Sequence, residues 1–271
     1  MAFLDHPLMT EEFRIVAYRG GSAERPENTL EAFDRAASIA PSIVLELDIR
    51  RTSDGVLVAA HDDDLGRTTG KPLCVSRISH AELAELDAGY GFERAGEFPF
   101  RERGSRVPRV EEVLSSFPNH CCVLDVHSDH PRVVREVVDL VKRQRAASRV
   151  VIASERPQIV RELRKLQPGW LCCATSSELL SRVLLERVKL DAMAPRTGGM
   201  LMIPEMHRSL CVLTPRFVQR ARARNERIWV WVVEEVEEMR RLRGLGADGV
   251  FTPSPTQFWN ATLAQGRSYP G

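Results

Sequence analysis

Two carboxylates, Glu46 and Asp48, stand two positions apart in an apolar segment, residues 43–49 (IVLELDI). Side chains two apart in a β-strand point to the same face, so these two negative charges would repel each other. A divalent cation with oxygen ligands, Mg²⁺ or Ca²⁺, would relieve that repulsion. Ion pairs with nearby arginines would also relieve it. The pair therefore indicates either a cation site or a salt-bridged strand.

A third acid, Asp125, ends a later apolar segment, residues 121–127 (CCVLDVH). Asp125 could complete a three-carboxylate cation site with Glu46 and Asp48. The alternative is that Asp125 caps the helix that follows. His127 comes two positions later and shares the strand face of Asp125.

His61 ends a short apolar stretch in the sequence AAHDDDLGRTTG. The ordinary pKa of an imidazole suits general acid–base catalysis near neutral pH. Asp62 follows directly and could orient the ring. A purely structural histidine is the alternative.

A loop rich in glycine, arginine and proline follows the apolar residues 14–18 (RIVAY). Its first residue, Arg19, could bind a phosphate through two parallel hydrogen bonds, and Gly20 and Gly21 permit a close backbone approach. Pairing of Arg19 with a nearby glutamate is the alternative. Tyr18 ends the apolar run; with an ordinary pKa near 10 it is a poor base at neutral pH but a possible proton donor.

Trp231 lies near the end of the apolar residues 227–233 (RIWVWVV) and could form a wall of a substrate pocket. Trp229, two positions earlier, is expected to pack in the core.

Eight short apolar runs alternate with amphipathic helical stretches along the chain. This alternation predicts an α/β fold, a TIM-type (β/α)8 barrel, in which functional side chains gather at the carboxyl ends of the strands. An open doubly wound sheet is the alternative, but the chain has no glycine-rich dinucleotide fingerprint. The eight runs are residues 14–18, 43–49, 121–127, 149–154, 170–176, 200–205, 227–233 and 248–253.

Residues from about 70 to 110 interrupt this alternation with polar, glycine-bearing sequence and one short helical stretch, SHAELAEL. That length exceeds an ordinary barrel connection. We therefore expect a small inserted lobe after the second strand, within a single domain that covers residues 1–271.

The composition narrows the possible functions. A formal net charge of +1 gives no reason to expect nucleic acid as a partner. The sequence shows neither a signal peptide nor an apolar run long enough to span a bilayer, and its six cysteines lack a disulfide or zinc pattern. We therefore expect a cytoplasmic protein without stable membrane insertion. The sequence indicates no oligomeric state.

Taken together, these residues resemble the glycerophosphodiester phosphodiesterase family. The most specific matching stretches are YRGGSAERPENTLEAF and VLELDIRRTSDGVLVAAHDDDLGRTTG. The resemblance implies a TIM-type barrel and metal-dependent hydrolysis of a small-molecule phosphodiester, a glycerophosphodiester or a lysophospholipid-type diester, to an alcohol and a phosphomonoester. It implies Glu46, Asp48 and Asp125 as metal ligands, Arg19 as a phosphate binder and His61 as one of two acid–base histidines.

Two departures from the family pattern affect catalysis. The family motif begins His-Arg-Gly where this chain has Tyr18, and its third strand reads Glu-x-Lys where this chain has Asp125 and His127. One hypothesis is that His127 supplies the missing histidine. A second is that the protein binds phosphodiesters, or regulates through them, without efficient turnover. A third is that an internal hydroxyl attacks the phosphorus and gives a cyclic phosphate.

Overall fold

The computed structural model describes residues 5–188, 190, 193–195, 197–207 and 210–266. Its strands are β1 (Arg14–Ala17), β2 (Val44–Arg51), β3 (Leu57–Ala59), β4 (Cys122–Val126), β5 (Val150–Ala153), β6 (Cys172–Cys173), β7 (Gly199–Ile203), β8 (Met206–His207), β9 (Leu210–Cys211), β10 (Arg227–Val230) and β11 (Gly249–Thr252). Its helices are α1 (Leu30–Ala37), α2 (Gly66–Thr69), α3 (His80–Leu83), α4 (Val110–Ser116), α5 (Val133–Arg143), α6 (Pro157–Leu166), α7 (Ser176–Arg187), α8 (Pro215–Ala223), α9 (Val236–Leu245) and α10 (Pro255–Gly266).

Eight parallel strands form a closed barrel. The strand order is β1, β11, β10, β7, β6, β5, β4 and β2, and pairing of β1 with β2 closes the circle. This closure confirms the predicted TIM-type (β/α)8 barrel and excludes an open doubly wound sheet. Each of the eight apolar runs contributes one barrel strand, and the core lies between the strands and the surrounding helices.

Seven of the eight predicted strands end one to three residues earlier than expected. The run 170–176 yields only Cys172–Cys173, because Thr175 instead caps α7 by accepting a hydrogen bond from the backbone N–H of Glu178. The first strand ends at Ala17, which places Tyr18 in a short 3₁₀ turn, Tyr18–Gly20.

The register of β2 and β4 determines which acids meet. Asp48 on β2 is the direct partner of Asp125 on β4, and Leu45 on β2 pairs with Ala17 on β1. Residues at the same level of neighbouring parallel strands point to the same side of the sheet. Glu46, Asp48 and Asp125 therefore lie on one face, next to the end of β1.

The segment between β2 and α4 carries the short antiparallel strand β3 and has a small hydrophobic cluster of its own. This cluster includes Val58 and Leu65, which precede the predicted start of the lobe, as well as Leu83 and Val107. The division into one domain with a lobe at about 70–110 stays a prediction. Among the described helices, none combines the length and the apolar character needed to cross a bilayer.

Candidate active site

Three carboxylates converge at the carboxyl end of the barrel. Ligand oxygens of Glu46, Asp48 and Asp125 all lie within 4.8 Å of one another. Glu46 and Asp48 are almost fully buried, and Oδ1 of Asp125 is buried without a hydrogen-bond partner among the described residues. Helix α5 has Arg132 at its N-cap, so Asp125 does not cap it. The unpartnered oxygen beside two buried carboxylates fits a divalent cation with oxygen ligands.

His127 supplies positive charge to the same cluster. Its Nε2 lies 3.0 Å from Oδ1 of Asp48 and 3.4 Å from Oδ2 of Asp125. Burial alone would lower the pKa of His127, but the contacts with the two carboxylates outweigh it and raise that pKa to about 10. The sequence placed His127 on the face of Asp125, and the structure adds its direct contact with Asp48.

The two buried carboxylates of β2 have opposite pKa shifts. Burial, together with the charge of Asp48, raises the pKa of Glu46 well above its usual value. Burial also opposes ionisation of Asp48, but the contacts with His127 and Arg19 outweigh it and lower the pKa of Asp48. Burial and neighbouring negative charge therefore favour the protonated form of Glu46, and the two aspartates favour the protonated form of His127.

Cation binding should release protons from this cluster. We expect Mg²⁺ or Ca²⁺ to favour ionised Glu46, because a bound cation compensates the charges of Asp48 and Asp125, which otherwise raise the pKa of Glu46. Calorimetric titration at neutral pH in buffers of different ionisation enthalpy measures this release. The Asp63→Asn variant, whose carboxylate contacts Ser76, should behave as the wild type. A binding heat that does not depend on the buffer would contradict the expectation.

Arg19 joins the end of β1 to the acidic cluster. Its backbone N–H donates to Oε2 of Glu46 at 2.6 Å, and its Nε lies 3.4 Å from Oδ2 of Asp48. Nη1 of Arg19 donates to Glu27 at 3.1 Å. Acidic side chains on both sides thus orient the guanidinium of Arg19. The predicted pairing of Arg19 with a glutamate occurs with Glu27, beside the carboxylate cluster. The adjacent Gly20 approaches α1 closely, since a Cβ there would lie 2.8 Å from the Cβ of Ala32.

Tyr18 contacts Arg19 directly. Its hydroxyl accepts a 2.6 Å hydrogen bond from Nη2 of Arg19, and the guanidinium carbon lies 4.6 Å from the centre of its ring. Burial raises the pKa of Tyr18 to about 12, although the charge of Arg19 acts in the opposite direction. Tyr18 therefore stays neutral near pH 7 and is not a base there.

His61 belongs to a chain of hydrogen bonds that ends at Arg19. Its Nδ1 lies 2.7 Å from Oδ1 of Asp62, and Arg67 joins Asp62 to Glu27 with bonds of 2.6–2.8 Å. Burial opposes ionisation of Asp62, but hydrogen bonds from His61 and Arg67 lower its pKa. An ionised carboxylate only accepts, so Nδ1 of His61 donates to Asp62, and in the neutral ring Nε2 is the nitrogen that can accept a proton.

Removal of the Arg67 side chain should impair catalysis indirectly, through the position of His61. We expect Arg67→Ala to lower kcat by roughly 10²-fold, because a displacement of about 1 Å in a catalytic group has that effect. Steady-state kinetics measure it, with Arg67→Lys expected to be intermediate. The matched control is Arg77→Ala, an exposed arginine of the same segment. Equal kcat for Arg67→Ala and the wild type would show that the chain of hydrogen bonds does not position His61.

Two functional contacts could not be recognised from residue types alone. Asn28 is buried, donates from Nδ2 to Oδ2 of Asp48 at 2.7 Å, and accepts from the backbone N–H of Asp48 at 3.2 Å. Arg50 donates from Nε to the backbone oxygen of His61 at 2.7 Å. Asn28 lies in the stretch PENT, which carried part of the family resemblance, whereas nothing in the sequence around Arg50 indicated its contact.

The two histidines both line a cavity of about 710 Å³. Their ring centres are 4.8 Å apart. Tyr18 and the three carboxylates line the same cavity, as does Trp231, which is 39% exposed. Trp229 is fully buried in the core, as expected. The structure therefore brings together at one opening seven of the eight predicted site residues, and Arg19 contacts three of them.

A TIM barrel with an acidic cluster, a half-buried arginine and two histidines at its carboxyl end suits a hydrolase that acts on phosphate esters. The chain belongs to the glycerophosphoryl diester phosphodiesterase family, whose model matches residues 19–257.

Comparison with individual proteins supports this family membership. The chain is 28% identical to the human lysophospholipase D GDPD1 over 276 residues, covering 89% of this chain and 83% of the relative. It is 26% identical over 251 residues to a glycerophosphodiester phosphodiesterase of Caldanaerobacter subterraneus, covering 91% and 96%. Its fold matches the glycerophosphoryl diester phosphodiesterase domain of an uncharacterized Mycobacterium tuberculosis protein with a TM-score of 0.81, 22% identity and coverage of 92% and 98%.

Proposed function

We propose that this protein is a divalent-cation-dependent phosphodiesterase that hydrolyses a glycerophosphodiester, or a lysophospholipid-type diester, to an alcohol and a phosphomonoester. The observation that carries the proposal is the convergence of the three carboxylates, Arg19 and the two histidines at one end of the barrel. The names of the human and bacterial relatives support the same class of reaction.

Arg19 is the proposed phosphate binder. Its guanidinium lies between Glu27 and Asp48 and is fixed by the Tyr18 hydroxyl, so it requires little reorganisation to bind a phosphate oxygen. Glu46, Asp48 and Asp125 would hold the cation. A bound Mg²⁺ or Ca²⁺ supplies charge stabilisation to the phosphoryl oxygens as a Lewis acid.

The two histidines have different hydrogen-bond partners and hence different proposed roles. The hydrogen bond to Asp62 requires a proton on Nδ1 of His61, so in the neutral ring Nε2 can accept a proton from the attacking nucleophile. His127 carries its proton at neutral pH in the cation-free protein and faces the same cavity, so it can donate a proton to the departing alkoxide. His127 would thus replace the family histidine that is absent at Tyr18.

A second candidate function follows from the contact between His127 and Asp48. The imidazolium lies 3.0 Å from a carboxylate of the proposed cation site and balances its charge. A protein in which this contact persists would bind a phosphodiester without efficient turnover. In the third possibility, an internal hydroxyl of the substrate attacks the phosphorus, the alcohol leaves, and a cyclic phosphate is formed.

Phosphorus NMR of the products separates these three functions. The purified protein is incubated with a glycerophosphodiester and either Mg²⁺ or Ca²⁺, and a matched sample contains a chelator. Hydrolysis predicts a phosphomonoester signal that chelation removes, whereas the third possibility predicts a cyclic phosphate signal. Ligand binding without any new phosphorus signal, across glycerol- and lysophospholipid-type diesters, would contradict the proposed hydrolase and support the binding function.

A further inference from the structure

The cavity at the carboxyl end of the barrel is divided into a polar and an apolar half. The three carboxylates, Tyr18 and the two histidines come from the ends of β1, β2 and β4, which are adjacent in the barrel, and from the segment after β3. Ser154 and Glu155 after β5, and Ser176 and Ser177 at the start of α7, also line the cavity. The ends of β6, β7 and β10, which are adjacent on the opposite side, contribute Ala174, Met202, Ile203, Pro204 and Trp231. Among the described lining residues of β6, β7 and β10, none carries a charge at neutral pH. A ligand that contacts both halves must therefore be charged at one end and apolar at the other.

Helix α7 extends the apolar half toward solvent. Leu179 and Val183 line the cavity from one side, and Leu210 and Val212, from β9 and the residue that follows it, line it from the other. These two walls form a cleft that opens beside Leu180, which lines the cavity and is itself 49% exposed. The cleft is continuous with the polar half of the cavity.

An exposed apolar stripe continues from this opening along α7. Leu180, Leu184 and Val188 are spaced by four residues, so their side chains follow one another on the same helix face, and each is at least 49% exposed. Exposed leucines in such a row are unusual for a surface that faces only water.

Helix α7 is fixed at its start and along its length. Glu178, in its first turn, forms a bidentate ion pair with Arg164 of α6. Arg182, on the side away from solvent, is buried and donates to Glu226 at 2.6 Å. The stripe therefore lies on a helix that two ion pairs hold against neighbouring elements.

We propose that the cleft between α7 and β9 binds the single hydrocarbon chain of an amphiphilic phosphodiester, with the chain leaving the cavity along Leu180 and Leu184. This inference rests on the proposed phosphodiesterase function and specifies its substrate class. The phosphate lies against Arg19 and the carboxylates, and the apolar substituent crosses the barrel mouth toward β7. A substrate without a chain would fill only the polar half.

A series of phosphodiesters with one head group and chains of increasing length tests the proposal, each used as monomers below its micellar concentration. We expect kcat/KM to rise by roughly fourfold for each added methylene until the cleft is filled, as expected for burial of a methylene group. For each variant, the value of kcat/KM for a long-chain diester is divided by the value for the chainless diester. In Leu180→Glu and Leu184→Glu this ratio should fall by roughly tenfold or more, which corresponds to the loss of about two buried methylenes. Leu263→Glu, an exposed leucine of α10, is the matched control and should keep the wild-type ratio.

Binding of an alkylphosphocholine to the cation-free protein gives a readout independent of turnover. We expect its affinity to increase with chain length and to weaken in Leu180→Glu but not in Leu263→Glu. Hydrolysis of all diesters at rates independent of chain length would overturn the chain site and leave the phosphodiesterase function intact. Chain-dependent binding without hydrolysis of any diester would support the chain site and contradict the phosphodiesterase function.

Two other occupants of the stripe give distinct results. If the stripe binds a membrane surface, activity on monomeric diesters should be insensitive to Leu184→Glu, and only activity on vesicles should fall. If it binds a second copy of this chain, sedimentation should show an oligomer that Leu184→Glu dissociates. Either result would overturn the proposal.

Discussion

Replacement of His61 by alanine should lower kcat by about 10²–10⁴-fold, the usual contribution of a general acid or base. The effect is expected to be large because Asp62 fixes the ring with Nε2 available to accept a proton, and Tyr18, whose pKa is raised to about 12, does not provide an alternative base near neutral pH. Steady-state kinetics with a glycerophosphodiester and saturating cation measure the change.

Variation of the leaving group separates the roles of the two histidines. If His127 donates a proton to the departing alkoxide, His127→Ala should lose far more activity on an alkyl diester than on a nitrophenyl diester, since a nitrophenolate departs without protonation. His61→Ala should lose comparable activity on both substrates, because activation of the nucleophile is needed in either case.

The control for both variants is His80→Ala. His80 lies in α3, where it contacts Arg109, and is not among the residues that line the cavity. Full turnover of the alkyl diester by His127→Ala would refute the idea that His127 compensates for the missing family histidine. Full turnover by His61→Ala would exclude the proposed base.

Replacement of Asp125 by asparagine should lower cation-dependent activity by about 10³-fold, because a catalytic cation contributes several kcal/mol and each 1.4 kcal/mol corresponds to a factor of ten. Asp125 is the proposed ligand chosen for this test, and its Oδ2 also lies 3.4 Å from Nε2 of His127. Its Oδ1 has no hydrogen-bond partner among the described residues, whereas Asp48 and Glu46 are hydrogen-bonded to Asn28 and Arg19 and their removal would also disturb the loop after β1.

Calorimetry should show weaker Mg²⁺ or Ca²⁺ binding in Asp125→Asn, and chelation should reduce wild-type activity to a similar residual level. Asp63→Asn, in the exposed loop after His61, should retain both cation binding and turnover. Thermal unfolding of the cation-free variants checks that the substitution has not unfolded the barrel. Normal cation affinity and turnover in Asp125→Asn would contradict the three-carboxylate site.

The sequence by itself determined the barrel and the types of group at its mouth. Eight apolar runs separated by helical stretches specify eight strands, and the carboxyl ends of parallel strands in a closed barrel all meet at one end. The positions of Glu46, Asp48, Asp125 and His127 at strand ends therefore sufficed to bring them together. The short-range period of two along a strand also fixed which of them share a face.

Only the tertiary structure decided how these groups contact one another. The contact of Asn28 with Asp48, the bridge from Glu27 through Arg67 to Asp62, and the contact of Arg50 with the backbone of His61 join residues that belong to different segments. Such contacts depend on loop paths and on side-chain rotamers in the closed barrel, neither of which has a periodic signature in the sequence. The contact of His127 with Asp48 likewise depends on the alignment of β4 with β2.

Apart from Trp231, the residues that line the apolar half of the cavity could not be predicted from the sequence. A leucine that lines a cleft has the same local pattern as a leucine in the core, and Leu179, Leu180 and Val183 read as part of an ordinary amphipathic helix. The order of the strands around the barrel places β6, β7 and β10 opposite the acids. It is this separation across the barrel mouth, set by closure of the sheet rather than by any local stretch of sequence, that gives the cavity one charged side and one apolar side.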